Sequence, residues 1–540
     1  VIARTRSAAA LAVIVALTAC GGSGGTKPFT TPFNASPGTT VAAAVKIVGV
    51  GDSLTAGVQS GGLTGADIPG GATAPGVGTI GRVQETQENG FYALLWEQAN
   101  NVTKSTLENP ATSPLPLITP PGIGGILAKT SSGFPAGLTT QCAGERAAAF
   151  SPSGALGDRM NPNTTPYDVA VSGQTTHEVI AMYQPLSSCA SAATIAMSPP
   201  ALAALNSLLF SESEAFYPAL ANFGSQVTQL QAAESLHGQL ATVNIGSNDL
   251  LHFAFANGGS PPANPAAIGN DIATIIRGLQ ASGAKVAVAN LVDVLGGALF
   301  FPVQSTTEPT YEQNLDAFLQ AAIINGAAQQ IGVTPAVAAT IPAVQAKVAA
   351  AETAAHQYAQ AEIQQAGLGP NGYFLLPVLL DTVAAILQSQ PVPQVVTPAN
   401  PTGAGEFVSD QTALTVKQLN VAYDQAIAGA AASTGAALVD IASTFQAAEA
   451  LRAQGKPFPL GDPQGDTATL QYGGGFFSLD GLHPSNTGYA VIANLFITAF
   501  DTKYGQAFPL VDIHTVVMGD PYSSANFGTI DPSGYLRAKR

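Results

Sequence analysis

The stretch VKIVGVGDSLTAGVQSGG, residues 45–62, decides how this chain is read. Val45, Ile47, Val48 and Val50 form a short apolar run followed by glycines. Such a run suits a strand buried on both faces. Ser53 then stands where the strand ends, the place at which open α/β sheets gather their ligands. A serine there reads either as the cap of an ordinary strand-to-helix turn or as a nucleophile. The remainder of the chain has to separate the two.

Four further apolar runs read as buried strands: 167–172 (YDVAVS), 240–245 (LATVNI), 284–290 (AKVAVAN) and 437–441 (ALVDI). Helical patterns lie between them, over 87–100, 175–183, 213–236, 265–281, 411–432 and 487–503. Strands alternating with helices make a parallel sheet covered on both faces. Two intervals are too long for simple connections. Residues 58–165 are rich in Gly, Pro, Ser and Thr and read as long loops with one or two helices. Residues 300–405 carry Ala-rich helical patterns and read as an inserted cap or side layer. Within them FLLPVLL, residues 374–380, is apolar enough to line an acyl pocket if the insertion roofs the site. The alternative is that these helices only thicken the outer layer.

Composition narrows the partners. The 540 residues are 46% hydrophobic and 10% charged, ample for a large core. Nineteen Lys+Arg against 34 Asp+Glu give a net charge of −15 with no basic run, so nucleic acid does not fit as a partner. Residues 1–20, VIARTRSAAALAVIVALTAC, show a charged start, a short apolar core and small residues at the end. That is the plan of an export signal. Leu17-Thr18-Ala19-Cys20 resembles a bacterial lipobox, which implies a signal peptide over 1–19 and diacylglycerol on the Cys20 sulfur. A plain secretory signal with a chance cysteine is the alternative. Residues 20–40 then read as a flexible tether. The absence of aspartate after Cys20 favours the outer membrane by resemblance to Gram-negative lipoproteins, so a lipid-anchored place in the cell envelope is expected. Cys142 and Cys189, an even pair in an exported chain, are expected to form a disulfide. Neither CxxC nor paired-histidine spacing occurs, so no metal or other cofactor is expected.

Four separated segments each set an apt residue at a strand end or just before a helix: Ser53; Gly173 in VAVSGQTTHEV; Asn248 in TVNIGSNDLLHF; and Asp480 with His483 in FFSLDGLHPSNTGYAVIANLF. Serine needs an imidazole base, and that imidazole needs an acceptor on its other nitrogen. Asp480, three residues before His483, can supply it locally. The Ser53 and Gly173 N–H groups and the Asn248 amide can serve a developing oxyanion. Asp249 reads as loop structure, and His177 as helix surface.

These blocks resemble the GDSL/SGNH hydrolase family: GDSLTAG its first, Gly173 its second, GSND its third and DGLHP its last. The resemblance implies a flavodoxin-like three-layer α/β/α sandwich of about five parallel strands with large helical and loop insertions. It implies a serine esterase or lipase in which Ser53 is the nucleophile, His483 the base and Asp480 its orienter. The oxyanion hole would be the Ser53 N–H, the Gly173 N–H and the Asn248 amide. The hydrolase domain is expected over 41–505, with a C-terminal extension over 506–540. The departure is size, since 120 residues separate Ser53 from Gly173. Two alternatives stand beside an exported lipid-anchored esterase: a polysaccharide O-acetylesterase, and a non-catalytic surface lipoprotein on the same fold.

Overall fold

The computed structural model describes residues 39–40, 45–59, 63, 65, 86–118, 160–161, 163–181, 220–223, 227–259, 261–306, 308–398, 400–478, 480–523 and 526. The expectations for the signal peptide, Cys20, Cys142 and Cys189 lie outside the described residues.

The strands used below are β1 (Ile47–Gly51), β2 (Leu240–Asn244), β3 (Lys285–Ala289), β4 (Phe300–Pro302), β5 (Tyr373–Leu375), β6 (Phe407–Val408) and β7 (Ala437–Val439). The main sheet has the order β1-β2-β3-β7, every neighbour parallel. Its registers pair Ile47 with Leu240, Leu240 with Lys285, and Ala287 with Ala437. These strands are Val- and Ala-rich, and β1 to β3 are buried on both faces, as a parallel sheet under two helical layers requires, while Leu438 of the edge strand β7 is exposed.

The sequence led us to expect a full strand over 167–172. The structure places that segment along the free edge of β1. Gly49 N–H donates to Tyr167 O at 3.0 Å, and Val169 and Val171 N–H donate back to Gly49 O and Gly51 O at 3.0 and 3.1 Å. Regular strand structure shrinks to a parallel bridge between Gly49 and Asp168. The N–H of Ala170, between the two donors, is taken by Asp168 Oδ1 at 3.1 Å. A side chain thus answers the edge where another strand would pair. Counting this segment, chain order in space is 2-1-3-4-5, and the direction of winding reverses at β1. Ser53 follows β1, at that switch point.

The helices used below are α1 (Ser53–Ala56), α2 (Phe91–Asn100), α3 (Gln229–Ser235), α4 (Ser247–Phe255), α5 (Pro265–Ala281), α6 (Tyr311–Ile331), α7 (Pro342–Ala366), α8 (Leu376–Leu387), α9 (Asp410–Thr434), α10 (Ile441–Arg452), α11 (Asn486–Tyr504) and α12 (Ile513–Gly519). α2 and α11 pack together, with Phe91 and Phe496 stacked at 4.8 Å, and α11 lies against β3 and β7. α3, α5 and α9 form a second helical layer against β1, β3 and β7. α5 coincides with its expected span because Asn264 caps it through Ala266 N–H and Pro265 occupies the first turn. The 213–236 helix is shorter than expected in its described part. It starts at Gln229 because Thr228 and Gln231 form a reciprocal capping box.

In the insertion, α6, α7 and α8 pack on one another, and β4-β5-β6 make a small antiparallel sheet that the sequence did not announce. The C-terminal segment adds α12, packed on α11. Among the described residues no helix is long and apolar enough to cross a membrane.

Candidate active site

Three loops meet where β1 and β2 end. Gly51 and Asn244 are the last paired residues, and Asp52 N–H reaches Asn244 O at 3.4 Å. A Cβ on Gly51 would stand 2.3 Å from Asn244 O and 2.2 Å from Thr55 Oγ1, so only glycine fits this close approach. The chain turns immediately into α1. Asp52 caps it, Oδ1 accepting from Leu54 N–H at 3.0 Å, and Ser53 is its first residue. The cap is therefore Asp52, which frees Ser53 from that duty. Burial pushes the Asp52 carboxyl up to about 7, against the pull of the Leu54 N–H and the charge of His483.

Asn248 lies in the first turn of α4, 3% exposed. Its Nδ2 donates to Gln174 O at 3.0 Å and lies 3.4 Å from Asp52 Oδ2. One amide hydrogen is thus firmly held. The other rests on a long contact that a stronger acceptor can displace. Asp249, the next residue, ties the second loop down: its Oδ2 accepts from both the N–H and the hydroxyl of Thr176 at 2.8 Å. That is the structural role expected for it.

Asp480 and His483 come from a tight loop before α11. His483 Nδ1 is 2.7 Å from Asp480 Oδ2, with both side chains 2% exposed. Asp480 Oδ1 accepts from the Leu482 and His483 N–H groups at 2.8 Å each. A carboxylate so held fixes the imidazole with Nδ1 protonated and leaves Nε2 as its basic nitrogen. Ser478 N–H donates to His483 O at 2.9 Å, and Leu299 N–H to Gly481 O at 2.8 Å, so the loop is clamped on two sides.

Ser53, Asn248 and His483 line one pocket at the sheet's C-terminal edge. Its far wall is apolar, formed by Leu251, Val294, Ile441, Phe445, Phe477 and Ile492. A family model for GDSL-like Lipase/Acylhydrolase matches residues 47–496, the whole span that builds this pocket. The chain belongs to that family. Neither a curated protein nor a solved structure matches it. As a GDSL-like hydrolase it is a carboxylic ester hydrolase, a serine esterase, lipase or acylhydrolase, on the α/β/α fold described above.

The remaining expected residues fall out unevenly. Gly173 takes φ +77°, the left-handed turn that suits glycine, and precedes Gln174, whose carbonyl holds Asn248. It is brought beside Asn248 but does not itself line the pocket. His177 is exposed and paired with Asp271 at 3.0 Å, a surface role. The idea that residues 374–380 line an acyl pocket is corrected. No described residue of 300–405 lines the pocket; Phe374 and Leu379 are fully buried, and Phe374 packs on Tyr311 of the insertion and on Phe407 just beyond it. The pocket's wall comes instead from α4, the segment after β3, α10, Phe477 and α11.

The sequence reading missed two supporting residues. Gln229, wholly buried at the start of α3, receives Gly51 N–H at 2.7 Å and donates to Gly51 O at 2.9 Å and to Gln174 Oε1 at 2.6 Å. It fixes the strand end that delivers Ser53 to the loop that holds Asn248. Asp520, in the C-terminal extension, is wholly buried, and its Oδ2 receives Thr487 N–H at 2.7 Å. It therefore caps α11 three residues beyond Pro484, together with Ser485, which receives Gly488 N–H at 3.2 Å. Asp462, Asp466 and His514 also gather ligand atoms within 4.8 Å of one another. His514 Nδ1 lies 2.7 Å from Asp466 Oδ2, an ion pair that fastens α12 to the 462–466 turn.

Proposed function

We propose that this chain is an exported, lipid-anchored serine ester hydrolase working through an acyl-enzyme, with Ser53 as nucleophile, His483 as base and Asp480 as its orienter. The observation that carries the reading is the buried 2.7 Å contact between His483 Nδ1 and Asp480 Oδ2 in a pocket shared with Ser53 and Asn248. Ser53 Oγ attacks the ester carbonyl while His483 Nε2 takes its proton. The negative oxygen that forms is met by the Ser53 and Gly173 N–H groups and the Asn248 amide, which gives up its 3.4 Å contact with Asp52. Collapse expels the alcohol, which takes the proton from Nε2. Water, activated by the same nitrogen, then releases the acid and restores Ser53. Anchoring through lipidated Cys20 rests on the first twenty residues alone.

A second reading, a polysaccharide O-acetylesterase, is supported by the pocket lining, to which no described residue of 300–405 contributes. The test of the common mechanism is labelling with a fluorophosphonate. The adduct is expected on the Ser53 peptide by mass spectrometry and is lost in His483→Ala. An adduct elsewhere, with esterase activity intact in Ser53→Ala, refutes it.

A further inference from the structure

Two asparagines stand near the C-terminal ends of neighbouring strands, and both line the pocket. Asn290, just after β3, uses both ends of its amide within the protein: Nδ2 donates to Asp440 Oδ1 at 2.8 Å, and Oδ1 accepts from Ala442 N–H at 2.9 Å. Asn244, the last residue of β2, does not. It is 3% exposed, and its Nδ2 is buried without a hydrogen-bond partner. Its neighbours Val243 and Ile245 are apolar and buried, and the local pattern gives no structural reason for an amide between them. A buried amide left unpaired is a standing cost that a folded protein seldom carries without use. The half-buried Ser247 lines the same pocket.

Building on the ester-hydrolase reading above, we propose that Asn244 is a specificity residue that pairs with an oxygen on the substrate's acyl group. It pairs with Gly51, two residues before Ser53, and lines the same pocket as Ser53. A half-turn about its terminal torsion exchanges N–H and C=O and turns the donor towards the pocket, where a substrate oxygen can accept it. The substrates selected are esters of short hydroxy- or alkoxy-acids. A plain acyl chain of the same length leaves the amide unpaired and is disfavoured.

The test uses p-nitrophenyl esters in shape-matched pairs, methoxyacetate against butyrate and 3-methoxypropionate against pentanoate, which differ by one oxygen in place of a methylene. The readout is the ratio of kcat/KM within each pair, compared between the wild-type protein and Asn244→Leu or Asn244→Asp. The intrinsic reactivity of each ester cancels in that comparison. The preference for the oxygen-bearing member is expected to fall by about fivefold or more in both variants for at least one pair. A smaller change in both pairs overturns the proposal. Should either variant fail to fold, competitive inhibition of the wild-type protein by the product acids decides: methoxyacetate or 3-methoxypropionate must bind more tightly than its all-carbon partner, and the reverse order for both overturns the proposal. Ser53→Ala is run alongside. If it abolishes hydrolysis while the ratios stay unchanged in the variants, the specificity proposal fails and the mechanism stands. If hydrolysis survives Ser53→Ala, the mechanism itself fails.

Discussion

The catalytic edge and the helical insertion bury polar groups in different ways. At the edge, polar side chains bind backbone N–H groups of the loops they position: Asp480 holds Leu482 and His483, Asp52 holds Leu54, Asp249 holds Thr176 and Gln229 holds Gly51. In the insertion, Tyr311, Glu362 and Thr382 bind one another. The Tyr311 hydroxyl donates to Glu362 Oε2 at 2.7 Å and reaches Thr382 Oγ1 at 3.1 Å, while Thr382 donates to Glu362 Oε1 at 2.5 Å. One residue comes from each of α6, α7 and α8, so this network pins three helices together. Side chains that hold backbone fix where the chemistry happens. Side chains that hold one another fix which helices stay together. The two regions touch at several points: Phe300 stacks on Phe255 of α4 at 6.1 Å, Glu308 pairs with Arg452 of α10 at 2.9 Å, and Leu376 N–H donates to Leu299 O at 3.0 Å while Leu299 N–H holds the 480–483 loop at Gly481. The insertion therefore adjoins the site, while none of its described residues lines the pocket.

Breaking this comparison is easiest at the edge, where substitutions should cost turnover and not folding. Ser53→Ala and His483→Ala are expected to lower kcat by on the order of 10⁶. Asp480→Asn should cost on the order of 10⁴, because the orienting carboxylate is replaced while the shape is kept. Thermal midpoints of the first two should stay close to wild type. A stability loss as large as the activity loss would mean that the edge behaves like the insertion. Asn248→Ala ranks next, at about 100- to 1,000-fold in kcat, with KM little changed because the oxyanion exists only near the transition state. An effect confined to KM would move Asn248 to ground-state binding.

The same contrast explains what was legible in the sequence. Ser53, Asn248, Asp480 and His483 are readable because each lies beside a local signal: the end of an apolar run, or a loop just before a helix. Asp480 and His483 are three residues apart, so their partnership is local too. Gln229 was invisible. It acts on Gly51 across 178 residues and in the sequence looks like any glutamine in a helix. Asp520 was hidden the same way, acting on Thr487 from 33 residues downstream. Strands as short as Phe300–Pro302 and Phe407–Val408 carry no readable periodicity, which is why the insertion's small sheet went unseen. In FLLPVLL the composition announced burial but not what would cover it, and the covering of Phe374 proved to be the rings of Tyr311 and Phe407.

In the insertion, substitutions should cost folding and not turnover. Phe374 is fully buried and packs its ring 4.4 Å from that of Tyr311. Phe374→Ala is expected to destabilise by about 3–5 kcal/mol, measured by denaturant unfolding. The order of kcat/KM across acyl lengths should be unchanged. A shifted acyl preference would restore the roofed-pocket idea that the pocket's lining contradicts.

The smallest effect is the most diagnostic of how the insertion buries its polar network. Burial pushes the Glu362 carboxyl up to about 7 from its ordinary 4.5, although the Thr382 and Tyr311 hydroxyls favour the charged form. Between those two values the folded chain holds a proton there that the unfolded chain has released. Stability from this group is thus present below about pH 4.5 and falls as pH rises towards 7, at up to about 1.4 kcal/mol per pH unit. Glu406, also raised to about 7 by burial and then by the charge of Glu362, titrates in the same window and steepens the loss. Glu362→Gln keeps the side chain's shape and its place between the two hydroxyls while removing the charge. The wild-type unfolding free energy, measured from pH 5 to 8, should therefore drop relative to the variant as pH rises, with kcat/KM at each pH the same in both. Parallel stability curves would mean that Glu362 stays charged in the folded protein. A variant whose activity follows its stability would mean that the insertion's network reaches the catalytic loop through Leu299 and Leu376, and that the two regions are one.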